Sequence, residues 1–577
     1  MSLVDQKDFA RVVQLERLGL KKLAKPIMDI LRISDINEVY QKFEERNGVA
    51  FIDAVLDEFR VDFDFYEEEL ERIPKTGPFI TVSNHPLGGI DGIILIKLIT
   101  QRRPDYKVMA NFLLQRVAPL QDYFLPVNPF DNKAYASSYS GLKAGMAQLK
   151  AGAPLGIFPA GEVSTYQFEQ RKITDKPWEE GALRLIQKME VPVVPVYFQA
   201  RNSAFFYLLS LLHPTLRTAK LPSEIRQQKN KSIRLRIGRP IGLREQQGYP
   251  ALEHYGAFLR QRTYLLRQAL PPRRNLMNPV RPPEQEPLAE ATEQQALQRE
   301  VEQLEATGKK LIEHKHYALY WATAEDIQAL LRELGRLREG TFRAIGEGTN
   351  RPLDLDHFDY HYHHLILWDR RASAVAGAYR LGMGPAIYQK FGINGFYAAS
   401  LFKIKKPARS LLAQSLELGR AFIVPEHQQQ PMPLFLLWKG ITAVLRRHPE
   451  LKFISGCASI SNRYAPFSKS LMVQFLLKNY GDGQLAKFIK PRKAFKAKLK
   501  KEYQKLVLES TAGDISRIDR LISDLEPDNK AIPVLIKKYL KQNARLVCFN
   551  VDPLFNDSLD GFMYIHVQDL PEETRQR

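Results

Sequence analysis

Only two cysteines, Cys457 and Cys548, occur in 577 residues, so neither a disulfide framework nor a four-thiolate zinc site is available. A reducing compartment suits such a chain. Long apolar runs are missing as well: the most hydrophobic stretches, GIILIKLI (92–99) and AFFYLLSLL (204–212), fall well short of the ~20 residues a spanning helix requires. The opening residues carry Asp5, Asp8 and Glu16 and no apolar segment with a cleavage site, so no export signal is expected. Acidic residues are in deficit, 64 against 84 Lys and Arg, and the resulting formal charge of +20 draws the chain toward polyanions: nucleic acid, anionic lipid or an acidic carrier protein. No zinc-finger, RNP or comparable motif accompanies that charge, and nucleic acid is not an expected partner.

What is present is a globular composition, 44% hydrophobic and 26% charged, on a chain long enough for two or three domains. Six prolines fall in PPRRNLMNPVRPPEQEP (271–287), where they forbid helix interior, and this stretch reads as a linker. The Ala, Glu, Gln and Leu-rich segment after it reads as a connecting helix. The expected division is a domain over 1–270, a linker with its helix over 271–315, and a second domain over 316–577. Both domains read as α/β. In the first, FITVSN, PLGIFPA, VPVVPVYF and IRLRIGRPI alternate with helix-like stretches, as in a sheet with helical crossovers. In the second, HLILWD, AVAGAYRLG and FISGCASI read as strands, and PLFLLWKGITAVLRRH puts Leu434, Leu437, Trp438, Ile441 and Leu445 on one helical stripe. KFIKPRKAFKAKLKKEYQKL (487–506) interleaves basic with apolar residues, as a solvated helix face or a docking surface for lipid headgroups or an acidic carrier would.

The first chemical constellation is SNHPLGGIDG (83–92). A strand delivers Asn84 and His85 at its carboxyl end, where open α/β sheets place their chemistry. A histidine there is suited to take a proton from a hydroxyl, and Asp91 is placed to fix its tautomer. Downstream come GIFPAGEVST (156–165), with Phe158, Pro159, Gly161 and Glu162 in a strand-end turn, and then VPVVPVYFQARNS (191–203). These three blocks in this order resemble the glycerolipid (lysophospholipid) acyltransferase family over most of residues 60–245. The resemblance implies acyl transfer from a thioester of acyl carrier protein or coenzyme A to a lyso-lipid hydroxyl. It makes His85 the general base, Asp91 its orienting partner, and Asn84, Phe158, Pro159, Gly161 and Glu162 acceptor-binding. Two departures stand out: five residues rather than four separate His85 from Asp91, with Gly88 and Gly89 able to absorb the extra one, and the block that normally ends in a phosphate-binding arginine offers Arg116.

In the second half, Arg338 with Phe342, the acidic pair Asp356 and Asp359, Tyr379-Arg380 at a strand end, and Glu417-Leu418-Gly419-Arg420 resemble the ornithine-lipid type N-acyltransferases related to the acetyltransferase (GNAT) superfamily, with a mixed sheet. The resemblance implies attack of an amino group on a fatty acyl thioester. Glu417 is then the base. Arg338, Arg380 and Arg420 hold a carboxylate or the carrier's phosphopantetheine, Asp356 and Asp359 hold the ammonium or those arginines, and Phe342 lines the site. An ion-pair network that braces the domain is the alternative for the same charges. Two patterns are set aside. RAIGEG (343–348) looks like a pyrophosphate loop but precedes the strands it should follow. His357, His361, His363 and His364 run into a strand, where consecutive side chains diverge, so no metal site is expected.

Together the halves resemble bifunctional synthases of bacterial aminolipids of the ornithine or glycine type, one domain N-acylating an amino acid and the other O-acylating the lyso-lipid product. No bound cofactor is expected; acyl carrier protein or coenzyme A supplies the acyl group. The expected location is the cytoplasmic face of the inner membrane, held peripherally to its anionic surface. A lysophospholipid O-acyltransferase with an independent N-acyltransferase domain, and a hemolysin-like membrane-active protein, are the alternative readings.

Overall fold

The computed structural model describes residues 24–30, 33–111, 116–127, 135–212, 220–270, 285–499 and 514–576, with isolated positions besides. The prolines from 271 to 283, residues 112, 113, 115 and 128 of the arginine-bearing block, and all of 500–506 except 503 lie outside them. The chain divides into two compact units, residues 1–279 with 527–529, and 280–526 with 530–577. Among the described residues no helix is long and apolar enough to cross a membrane.

The strands of the first unit are β1 (Asp62–Asp64), β2 (Ile80–Ser83), β3 (Lys107–Asn111), β4 (Phe124–Val127), β5 (Leu155–Ile157), β6 (Thr165–Gln167), β7 (Lys172–Thr174), β8 (Val193–Gln199) and β9 (Ser232–Ile237). Seven of them form one sheet in the order β1-β9-β8-β2-β5-β3-β4, while β6 and β7 pair as a separate hairpin. All pairings in the large sheet are parallel except β8 with β9. A parallel sheet is covered on both faces, which is why its strands read as near-continuous apolar runs. All four residues of central β2 are buried. One face carries Phe79, Leu95, Val108, Val196 and Leu235, the other Ile80, Val82, Leu155, Val193 and Leu259. Helices Gly89–Ile99, Tyr135–Lys150 and Glu180–Met189 are crossovers between these strands.

The second unit contains β10 (Lys310–His314), β11 (Tyr317–Thr323), β12 (His363–Asp369), β13 (Ala374–Met383), β14 (Phe402–Ile404), β15 (Ser415–Ile423), β16 (Phe453–Ile460), β17 (Ile489–Pro491), β18 (Arg545–Asp552) and β19 (Ser558–His566). Eight form a mixed sheet in the order β10-β11-β12-β13-β15-β16-β19-β18, and β14 pairs with β17. Only β15 and β16 run parallel in it. Helix Pro431–Arg447 approaches one face so closely that a Cβ on Gly440 would lie 2.4 Å from Leu319. Of its expected stripe, Leu437, Ile441 and Leu445 are buried and Leu434 and Trp438 half-buried.

Two segments differ from their sequence reading. Helix Gln294–Ala306 buries Leu297, Val301 and Leu304 in the core with Ala318 and Ile366, and residues 310–314 are the sheet's edge strand. This part of the expected connector is therefore built into the second unit, because its apolar stripe needs a sheet to cover. The basic stretch is not helical over 488–499: β17 pairs with β14 and buries Ile489 completely, and Pro491 lacks the amide that a helix interior would demand.

Candidate active sites

In the first unit β2 ends at Ser83 and the chain turns through His85 to Gly88 before helix Gly89–Ile99 begins. Gly88 has φ +74°, which absorbs the residue inserted between His85 and Asp91, and a Cβ there would lie 3.0 Å from Leu221 and 3.4 Å from Val163. The turn brings Asp91, in the first helical turn, beneath the imidazole: His85 Nδ1 is 3.1 Å from Asp91 Oδ2. The same oxygen accepts from Leu87 N at 2.8 Å. Burial pushes the Asp91 carboxyl up, and the His85 hydrogen bond opposes that rise. His85 keeps 18% of its side chain exposed while Asp91 is wholly buried. An oriented imidazole with one open edge is what proton abstraction from a hydroxyl requires.

Phe158, from the end of β5, stacks on the imidazole with centroids 4.0 Å apart. Ser164 N donates to His85 O at 2.8 Å, so His85 and the 158–164 turn form one wall. Gly161 (φ +68°) closes that turn by donating to Phe158 O at 3.0 Å, and Pro159 O accepts from Glu179 N at 2.8 Å. Glu162 pairs with Lys176 and, at 2.6 Å, with Arg217. Burial alone would raise its carboxyl; these two cations outweigh it and hold the group below the usual carboxylate range. Arg116 is solvent-exposed next to residues outside the described set.

Asn84 is a correction. Its side-chain oxygen accepts from Phe198 N at 2.7 Å and its amide donates to Phe198 O at 2.9 Å, so both ends are engaged in clamping β2 to β8 and neither faces an acceptor. Asp175 was missed. Wholly buried, it accepts from His85 N at 3.3 Å and Ser164 Oγ at 2.5 Å, and so positions the backbone that carries the imidazole. Ninety residues separate it from His85, and no local pattern marks it.

In the second unit β15 and β16 pair only from Ser415–Phe453 to Leu418–Gly456, although the strands run on to Ile423 and Ile460. They part where β15 bulges against β13, at Arg420, whose φ is +50°. Strand register places Arg380, Glu417, Ser459 and Asp560 on one face of this splayed region.

The predicted charges gather into a closed network. Arg338 contacts Asp359 at 2.9 Å, Arg380 contacts Asp356 at 2.6 Å and Asp359 at 3.2 Å, and Arg420 contacts Asp356 at 3.0 Å. Asp354, which sequence reasoning overlooked between Leu353 and Leu355, completes it at 3.0 Å from Arg420. Three arginines thus balance three aspartates. Burial works against the Asp359 charge, but Arg338 and Arg380 hold its carboxyl far below the ordinary range. The Arg380 guanidinium is further enclosed by Phe358, Tyr362 and Tyr397, with ring centroids 5.7, 5.3 and 5.4 Å away.

Two expectations change here. Glu417 is 2% exposed, and its carboxylate already accepts from Tyr362 Oη, from Tyr397 N at 3.2 Å and from Ala398 N at 2.8 Å. It braces the start of helix Tyr397–Leu401 and offers an incoming amine little access. Phe342 packs half-buried in the core beside Leu337 and Leu355, so it supports the fold instead of lining the site. The RAIGEG loop ends helix Gln328–Ile345; Gly346 N and Glu347 N already donate to Arg343 O and Phe342 O, so these two amides cap the helix instead of facing a pyrophosphate. The histidines also face different partners. His363 stacks on Trp321, His364 lies 2.9 Å from Asp359 O, and His361 lies 3.1 Å from Gly395 O.

A largely parallel α/β sheet presenting an imidazole–carboxylate pair is thus joined in one chain to a mixed sheet with a parallel splay. A profile of the acyltransferase family matches residues 9–272, and one of the acetyltransferase (GNAT) domain matches residues 337–438. A lyso-glycine lipid O-acyltransferase of Bacteroides thetaiotaomicron is 30% identical over 220 residues, which are 37% of this chain and 78% of that protein. A glycine N(alpha)-acyltransferase of Phocaeicola vulgatus is 28% identical over 278 residues, 45% of this chain and 83% of that protein. The chain belongs to the acyltransferase family and carries a GNAT domain in its second half.

Proposed function

We propose that this chain performs two successive acyl transfers of bacterial aminolipid synthesis. The second unit N-acylates a small amino acid, glycine or a close relative, and the first O-acylates the resulting lyso-lipid. The carrying observation is that one polypeptide is similar to both a glycine N-acyltransferase and a lyso-glycine lipid O-acyltransferase. A lipid with one amide-linked and one ester-linked chain requires these two reactions.

In the ester-forming step His85 takes the proton of the lyso-lipid hydroxyl while Asp91 stabilises the imidazolium. The oxygen attacks the thioester carbonyl, the C–O bond forms, the C–S bond breaks, and the imidazolium returns its proton to the departing sulfur. Phe158 and the 159–162 turn border the acceptor. The donor is a fatty acyl thioester of acyl carrier protein or coenzyme A. The charge of +20 supports docking of an acidic carrier and peripheral attachment to an anionic bilayer at the inner membrane's cytoplasmic face.

Expression in a bacterium without aminolipids, followed by lipid mass spectrometry, tests this. Mono-acylated amide and the di-acylated lipid are both expected from the wild-type chain, and only the mono-acylated amide from His85→Ala. Absence of any aminolipid, or loss of both products in folded His85→Ala protein, overturns the reading.

A further inference from the structure

Asp560 sits on β19 in register with Ser459 of β16 and Asn550 of β18. Neither neighbour bonds it. The Ser459 hydroxyl donates to Glu347 at 2.6 Å, while the Asn550 side chain accepts from Lys493 N at 2.8 Å and donates to Val551 O at 2.9 Å. Asp560 is 8% exposed and its carboxylate has no hydrogen bond or direct ion pair among the described residues. A carboxyl at a buried position without a donor is not held in its charged form, which makes it a stronger base than an exposed one. Nearby lie two more buried carboxyls: Glu347, bonded by Ser459, and Asp552, which accepts from Leu554 N at 2.9 Å and Tyr397 Oη at 3.4 Å. Facing this set is Arg420 at the β15 bulge, already tied to Asp354 and Asp356 and covered by Tyr397 and Phe555. Burial pushes the Asp560 carboxyl up to about 8, with Asp552 and Glu347 adding to the rise and Arg420 opposing it. The site lies on the splayed face of the sheet, beyond the last β15–β16 pair at Leu418 and Gly456.

We propose that Asp560 receives the ammonium group of the amino-acid acceptor and takes the proton it must lose before attack, an assignment that rests on the N-acyl transfer proposed above. The ammonium gives one proton to Asp560, and the freed lone pair attacks the thioester carbonyl. A C–N bond forms and the C–S bond breaks. The second proton, on the nitrogen of the tetrahedral intermediate, goes to the thiolate, and Asp560 releases its proton to solvent. Glu347 and Asp552 keep Asp560 basic enough for the exchange, since an ordinary carboxylate is a poor acceptor for an ammonium proton.

The test compares the full-length wild-type and Asp560→Asn chains with the fatty acyl thioester that the wild type uses, and with two acceptors: glycine, and aminoacetonitrile, which is largely uncharged at neutral pH. Asp560→Asn is expected to lower kcat/KM for glycine at least ~100-fold and for aminoacetonitrile less than ~10-fold. Equal losses on both amines would indicate a merely structural residue and overturn the assignment. As a second variant, Asp552→Asn removes a like charge and should move the acid limb of the glycine pH profile to lower pH; an unmoved limb counts against Asp560. Failure of the wild-type chain to acylate any amine overturns the underlying reading and this one with it. An Asp560→Asn chain as active as wild type on glycine overturns this one alone.

Discussion

Replacing Asp91 by Asn removes one oxygen's charge and little else, and isolates what the buried carboxylate does for His85. At 3.1 Å the carboxylate favours the imidazolium by on the order of 5 kcal/mol at an effective dielectric near 20, an upper figure because the ring is partly wet. The amide also allows a wrong tautomer, in which Nδ1 accepts from the amide and Nε2 carries the proton it should take up. A loss of about 10²–10⁴-fold in ester formation is expected, equivalent to about 3–5 kcal/mol of transition-state stabilisation. Stability should move the other way: burial already pushes the Asp91 carboxyl up, so a neutral amide relieves an unfavourable charge and the melting temperature should hold or rise. The assay supplies purified full-length protein with a synthetic lyso-aminolipid and fatty acyl thioester, and follows ester by mass spectrometry and amide formation from the amino acid in parallel. Ester formation above one tenth of wild type, or parallel loss of the amide, would refute the reasoning.

Gly88→Ala should cost about 1–3 kcal/mol of stability and depress ester formation, because φ +74° disfavours any Cβ and Leu221 leaves it no room; thermal unfolding with the ester assay checks both. Arg338→Met leaves Asp359 a buried charge with one partner fewer, and denaturant titration should show about 3–5 kcal/mol lost from the second unit. Glu417→Gln cannot accept from Tyr362, Tyr397 and Ala398 as the carboxylate does; a loss of about 1–3 kcal/mol marks a brace, whereas unchanged stability with abolished amide formation would restore Glu417 as a base. Asp560 makes stability depend on pH. Its folded carboxyl, about 8 against an ordinary 3.8, keeps a proton that the unfolded chain releases, so stability should fall as pH rises across that window, by on the order of 5 kcal/mol in all. Asp560→Asn should flatten the slope in denaturant midpoints measured from pH 5 to 9; an unchanged slope counts against the burial argument.

Much of this was legible along the chain because it is local. Alternation of apolar runs with helical stretches announces two α/β folds, and β2, β5, β8, β13 and β16 coincide with runs readable as strands. His85 and Asp91 are six residues apart, so one turn suffices to join them, and glycine at 88 hints at how. The basic excess likewise needs no coordinates. The segment 488–499 misled because basic and apolar residues suit either a helix or a short strand, and Pro491 alone argued for the latter.

What the three-dimensional arrangement alone decided is which polar groups are already engaged. Asn84 and Glu417 look reactive by residue type, but hydrogen bonds reach them from Phe198, 114 residues away, and from Tyr362, 55 away, and satisfy them. Asp175 and Asp560 look unremarkable by type, yet the first holds the His85 backbone and the second is left without a donor because its in-register neighbours turn elsewhere. Covalent order and hydrophobic period are written residue by residue. Burial, register and the satisfaction of charge depend on which distant strands become neighbours, and so they appear only once the chain has folded.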